Sequence, residues 1–334
     1  VFSNFQSPPP EAEASLERTP ERVRPRQTST DGATRQTSPS TATTLQTGID
    51  TALARAFIYR FLAAAFADPT TESWSWLCRR DTHQALESAL GVLKRDDAAR
   101  QTGVPPVSPI ASSECGPLQG PEATPQNEQP AAAPDWHDAC PTFTSEGFDA
   151  FQDAYLAAFG HAARGRCPLN EIEYGDLKAD PLFQPHRLAD LAAFYRAFGL
   201  EVAEDAGERH DHIALELEFM SVLAAKEAYA LEHQLEADAL AQCREAQRKF
   251  LREHLGRWTP AFARRLARLT DHAALRTLAE FTRGYVADEC ARFGVPAGSE
   301  DLLLRSVDPA AESLCASCGI THLPPGALQS DTAG

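Results

Sequence analysis

The stretch Asp211-His212-Ile213-Ala214-Leu215-Glu216-Leu217-Glu218-Phe219-Met220-Ser221-Val222-Leu223-Ala224 decides the fold. Ile213, Leu217, Met220 and Ala224 recur at helical spacing and make one apolar face, while Leu215, Phe219 and Val222 make a second. A helix that is apolar nearly all round belongs in the middle of a domain, wrapped by its neighbours. The residues at its N-terminal end, Glu208-Arg209-His210-Asp211-His212, are then held rigidly by the core.

Working outward, Leu53, Phe57, Phe61 and Ala64 show helical spacing, as do Phe148, Phe151, Tyr155 and Phe159. Further helices are predicted over about 185–198, stopping at Gly199, and over about 235–255, 260–269 and 271–293, the last ending at Gly294 with Pro296 beyond. Strand-like alternation is nearly absent, and 43% apolar residues suffice for a sizeable core. The expected fold is all-α, a single globular multi-helix domain. Of the 24 prolines, 15 fall in 1–48 and 101–142. Those compositions offer too little apolar surface to offset the entropy of ordering a backbone. The predicted divisions are a disordered N-terminal segment 1–48, a first helical block 49–100, a Pro-rich flexible insert 101–142, a second helical block 143–296 and a flexible C-terminal tail 297–334.

The formal net charge is −16, with Lys and Arg scattered among acids. That removes the basic footprint of nucleic-acid binding and suits a basic partner, such as a peptide carrying arginines. No run of about 18 apolar residues is present, so no membrane insertion is expected. The first fifty residues lack a secretory apolar stretch, and Glu11, Glu13, Glu17, Glu21 and Asp31 are too acidic for an organelle transit peptide. A cytoplasmic location is the expectation, with the eight cysteines reduced.

Asp211 and His212 open the buried helix, where free N–H groups and the helix dipole favour a carboxylate and an imidazole can titrate near neutrality. Asp211 could equally be a simple N-cap. The chain carries its own control, since Asp271-His272-Ala273-Ala274-Leu275 closely resembles Asp211-His212-Ile213-Ala214-Leu215. His212 and Glu216 are four apart, as are His186 and Asp190, but neither helix carries Glu-x-x-His, and no metal is expected. Cys315-Ala316-Ser317-Cys318 with His322 supplies three ligands where a closed zinc site needs four, leaving a small metal-dependent or redox protein as an alternative reading. The loop Cys167-Pro168-Leu169-Asn170-Glu171-Ile172-Glu173-Tyr174-Gly175 concentrates two carboxylates and a phenol between helices, a set able to bind a guanidinium or a peptide backbone. Its bland alternative is a solvated connection. Phosphate-loop, nucleophile-elbow and dinucleotide signatures are missing, so no catalytic residue and no cofactor are expected.

Three elements together carry a resemblance: the loop 167–175, the run Ala189-Asp190-Leu191-Ala192-Ala193-Phe194-Tyr195-Arg196-Ala197-Phe198-Gly199-Leu200, and Glu208 to Met220. In this order they resemble the TorD/DmsD family of redox-enzyme maturation chaperones, and with flanking helices the likeness covers about 50–100 and 143–295. The resemblance implies an all-helical, non-catalytic chaperone. Its partner would be the catalytic subunit of a molybdenum oxidoreductase, often bound at a twin-arginine leader until the molybdopterin cofactor is inserted. A nitrate-reductase-type chaperone with a non-exported client is the alternative within the family. Carried over by motif, the client-binding residues fall on Asp211, His212, Glu171, Glu173 and Tyr174. His210 stands where the family commonly has proline, and Asn170 where an aromatic is frequent.

Overall fold

The computed structural model describes residues 39–101, 136–138, 140–160, 165–175, 183–203 and 207–305. These residues form nine α-helices and no strand, as the periodicity requires: α1 (Pro39–Phe66), α2 (Thr71–Leu77), α3 (Arg80–Gln101), α4 (Phe148–Phe159), α5 (Phe183–Ala197), α6 (Ile213–Glu232), α7 (Ala237–Glu253), α8 (Leu255–Leu269) and α9 (Ala273–Arg292).

α6 is the central helix. Ile213, Leu215, Leu217, Phe219, Met220 and Leu223 are all fully buried, which accounts for its two apolar faces. α1 lies along α6 over most of its length, with the Ser221 hydroxyl donating to the Ala56 carbonyl at 2.8 Å. α8 and α9 pack on each other, and α7 joins α6 to α8. Aromatic contacts tie these layers together, Phe66 meeting Phe262 edge-on at 5.3 Å and Phe219 meeting Phe250 at 4.8 Å. A buried ionic network lies among them: Arg55 of α1 donates to Glu289 of α9 at 2.8 Å and to Glu227 of α6 at 2.9 Å. Removing Arg55 would leave two buried carboxylates without their shared cation, so the network fixes three helices in register.

Three expected boundaries move. The segment 1–48 was predicted to be disordered, but helix begins at Pro39, a residue well suited to a first helical turn because it lacks the N–H that turn leaves unpaired. Gly48 lies within helix α1, close to the Leu231 side chain. At the far end of the insert 101–142, Trp136–Asp138 form a short 3₁₀ turn. The Trp136 indole meets Phe281 at 5.4 Å and Tyr285 at 5.6 Å, and its N–H donates to Asp288. Gly284 admits that ring, because a Cβ there would collide with it. The tail predicted from 297 also begins later. Pro260 lies inside α8 and has no N–H to give the Gly256 carbonyl four residues back, and the Gly298 N–H takes that acceptor at 2.9 Å. A break at His254 separates α7 from α8, so the helix predicted over 260–269 starts at Leu255. Residues 1–38, 102–135 and 139, and Cys315, Cys318 and His322, lie outside the described residues.

Candidate functional site

The loop 167–175 carries a 3₁₀ turn at Glu171–Glu173 and is held along both edges. On one edge the Glu171 N–H donates to the Asp211 carbonyl at 2.9 Å, the Ile213 N–H donates to Leu169 at 2.8 Å, and Asn170 and His212 form an antiparallel bridge. On the other, Gly175 N–H donates to Leu303 and Arg305 N–H to Glu173, each at 2.9 Å, around an antiparallel bridge between Tyr174 and Leu304. The solvated connection is therefore excluded. The loop joins the start of α6 to the residues that follow α9.

Asp211 is fully buried and saturated. One oxygen accepts from Arg209 Nε at 2.9 Å and Asn170 Nδ2 at 3.1 Å, and the other from Arg209 Nη2 at 2.7 Å and the Ile172 N–H at 3.2 Å. The residue that caps α6 is His212, whose Nδ1 accepts from the Ala214 N–H at 3.3 Å. A neutral ring then holds its proton on Nε2, which faces Glu208 at 3.5 Å. Burial pushes the imidazole down to about 4, with Arg209 adding to the shift and Asp211 opposing it. His212 is thus a neutral cap at ordinary pH. Glu216, its neighbour one turn on, accepts from the Trp258 indole at 3.1 Å, and burial followed by the Glu171 charge raises it well above the carboxylate range. Asp190, the other half of the considered metal set, sits 3.2 Å from His254.

Glu171, Glu173 and Tyr174 are also buried and internally engaged. Glu171 meets His254 at 2.9 Å, Arg187 at 2.6 Å and Arg257 at 3.0 Å. Burial alone would raise its carboxyl, but the His254 hydrogen bond and the charges of His254, Arg187 and Arg257 hold it well below the usual range. Glu173 lies between Arg209 at 3.5 Å and Arg305 at 3.7 Å. The Tyr174 hydroxyl donates to the Pro168 carbonyl at 2.8 Å, its ring tilted against Trp258 and edge-on to Phe262. The structure gathers the five expected residues around one loop, yet four of them serve to build it.

A pocket of about 380 Å³ opens beside that loop at the start of α6. Of the expected residues, His212 lines it, together with Asn170 and Leu169 of the loop and Tyr155 and Phe159 of α4. Asp68, just after α1, and Glu208 contribute two carboxylates to the lining, and Arg209, already paired with Asp211, contributes a guanidinium. Burial, and after it the Asp68 charge, raises the Glu208 carboxyl above its ordinary value, as expected of two like charges sharing a site. A guanidinium placed there would meet both acids while its stem lay on the aromatic floor. Asp68 and Glu208 are about 140 residues apart in the chain, so no local motif joins them.

Comparison with known proteins identifies relatives of this chain. The family described as nitrate reductase delta subunit matches residues 124–264. The chain is 34% identical over 160 residues to a selenate reductase assembly chaperone protein of Thauera selenatis, covering 46% of this chain and 78% of that one. It is 33% identical over 114 residues to a perchlorate reductase assembly chaperone protein of Dechloromonas aromatica, covering 34% of this chain and 48% of the relative. Against a chaperone protein TorD of Vibrio cholerae the identity is 38% over 69 residues, 21% of this chain and 30% of the relative. The chain belongs to the TorD/DmsD family of redox-enzyme maturation chaperones.

Proposed function

We propose that this chain is an assembly chaperone for a molybdopterin-dependent oxidoreductase and that it receives an arginine-bearing segment of the catalytic subunit, such as a twin-arginine leader, in the pocket at the start of α6. Family membership supports the chaperone role. The observation that carries the site is the Asp68–Glu208 pair over an apolar floor. Asp211 supports this wall indirectly, by clamping Arg209 and the loop. Among the described residues no helix is long and apolar enough to cross a membrane, and a cytoplasmic location fits a chaperone that acts before export. The description of the matching family favours a second reading, in which the client is a nitrate-reductase-type subunit without an export leader. A photo-crosslinking residue at Leu156, on the pocket wall, tests both. The expected product joins the chain to the arginine-rich leader of an oxidoreductase subunit. Crosslinks to an internal client segment would favour the second reading, and none to any oxidoreductase would remove the site.

A further inference from the structure

The residues after α9 are bound to the loop 167–175 in the way a peptide ligand would be. Gly298 is rooted on the Gly256 carbonyl so closely that a Cβ would collide with the Arg257 carbonyl. Glu300 then pairs with Arg283 at 2.9 Å, and Asp301 pairs with Arg264. Beyond this root, Leu302-Leu303-Leu304-Arg305 runs antiparallel to Glu173-Tyr174-Gly175 through the two backbone hydrogen bonds already described. Backbone pairing of this kind is indifferent to sequence, so an extended segment of another chain can make the same bonds. Leu303 is 72% exposed, and the Arg305–Glu173 ion pair is long at 3.7 Å. Leu302 and Leu304 pack against the core, so the tip is held by backbone pairing and two leucines, with Leu303 left facing outward. Its chemistry is an extended backbone, leucines and one arginine set against an acidic loop. This matches the client segment proposed above.

We infer that residues 302–305 are an internal stand-in for the client, occupying the edge of the loop at Glu173-Tyr174-Gly175, and that an extended, arginine-bearing client segment binds there by displacing them. The inference rests on the client-binding reading, but its surface is separate from the pocket. Asn170 lines the pocket, whereas Gly175, five residues on, faces the strap. Apparent affinity is then reduced by the fraction of time the strap is closed.

The test uses the full chain and a synthetic peptide with two adjacent arginines followed by a leucine-rich stretch. Arg305→Pro removes both the strap's N–H donor and its guanidinium, while Arg305→Lys keeps the donor and a charge. Arg305→Pro is expected to tighten peptide binding by about tenfold, the effect of opening a site closed about nine-tenths of the time, and Arg305→Lys to stay near the parent. In the parent protein, amide hydrogen exchange is expected to show the Arg305 N–H losing protection when peptide binds while the Gly175 N–H keeps it. Unchanged or weaker binding by Arg305→Pro, or retained protection at Arg305 in the complex, overturns the inference. Failure of the pocket reading looks different: replacing Asp68 and Glu208 would then leave peptide affinity unaltered while Arg305→Pro still raised it.

Discussion

Asp211-His212 and Asp271-His272 open two helices of this chain with nearly the same local sequence, and the fold uses them in opposite ways. At α6 both residues are buried, the aspartate accepts four hydrogen bonds and the histidine caps the helix. At α9 the Asp271 side chain is fully exposed, its nearest cation being Arg276 at 3.6 Å, and His272 makes no side-chain cap bond. There the Thr270 hydroxyl accepts from the His272 N–H at 3.1 Å instead. The difference is supplied by the loop 167–175, which brings Asn170 and the Ile172 N–H to Asp211 and has no counterpart at Asp271. An Asp-His pair becomes a structural hub only when a second segment arrives to saturate it.

The largest expected break in this comparison is Asp211→Ala. It leaves the Asn170 amide and the Ile172 N–H without their acceptor, and Arg209 with only its longer contact to Glu173. Because Arg209 is about one-third exposed, the cost is expected near the lower end of the range for broken buried pairs, about 3 kcal/mol. Asp271→Ala is expected to cost less than about 0.5 kcal/mol, as for exposed surface positions. Chemical denaturation of both variants measures this directly, and equal losses would erase the distinction between the two sites.

Acid is expected to separate them next. The folded His212 imidazole is depressed from 6.5 to about 4, so between these values the unfolded chain binds the extra proton. Its contribution is complete above pH 6.5 and is lost as pH falls towards 4, amounting to about 3 kcal/mol at most. Denaturation of parent and His212→Asn at pH 7 and pH 4.5 should show the shallower pH dependence in the variant, since asparagine can cap without titrating. A parallel pH profile in the two would mean that His212 is not the residue being charged. The smallest effect concerns the cap itself: His212→Ala is expected to cost about 1 kcal/mol at neutral pH, and His272→Ala, which has no cap bond to lose, a few tenths. Melting curves of the two variants check this.

Much of the fold was legible because helical periodicity is local. The two apolar faces of α6 follow from residues within one stretch of fourteen. What the spacing could not supply were partners far along the chain. Asn170 and Ile172 reach Asp211 from 41 and 39 residues away, and Asp68 joins Glu208 across a still greater span. Residues 298–305 were assigned to a tail because they show little apolar periodicity. Backbone pairing needs none, and the acceptor that roots Gly298 is freed by a proline 38 residues earlier.

The central claim is that the pocket acids Asp68 and Glu208 receive the client's guanidinium while Asp211 is committed to the fold. Calorimetric titration with a twin-arginine leader peptide tests it, comparing the parent, the Asp68→Asn/Glu208→Gln double variant and Asp271→Asn as an exposed-carboxylate control. The expected result is binding weakened roughly tenfold or more in the double variant, the scale of one charge-assisted hydrogen bond, with its melting temperature close to the parent and Asp271→Asn unaffected. Parent-like affinity in the double variant would contradict the assignment.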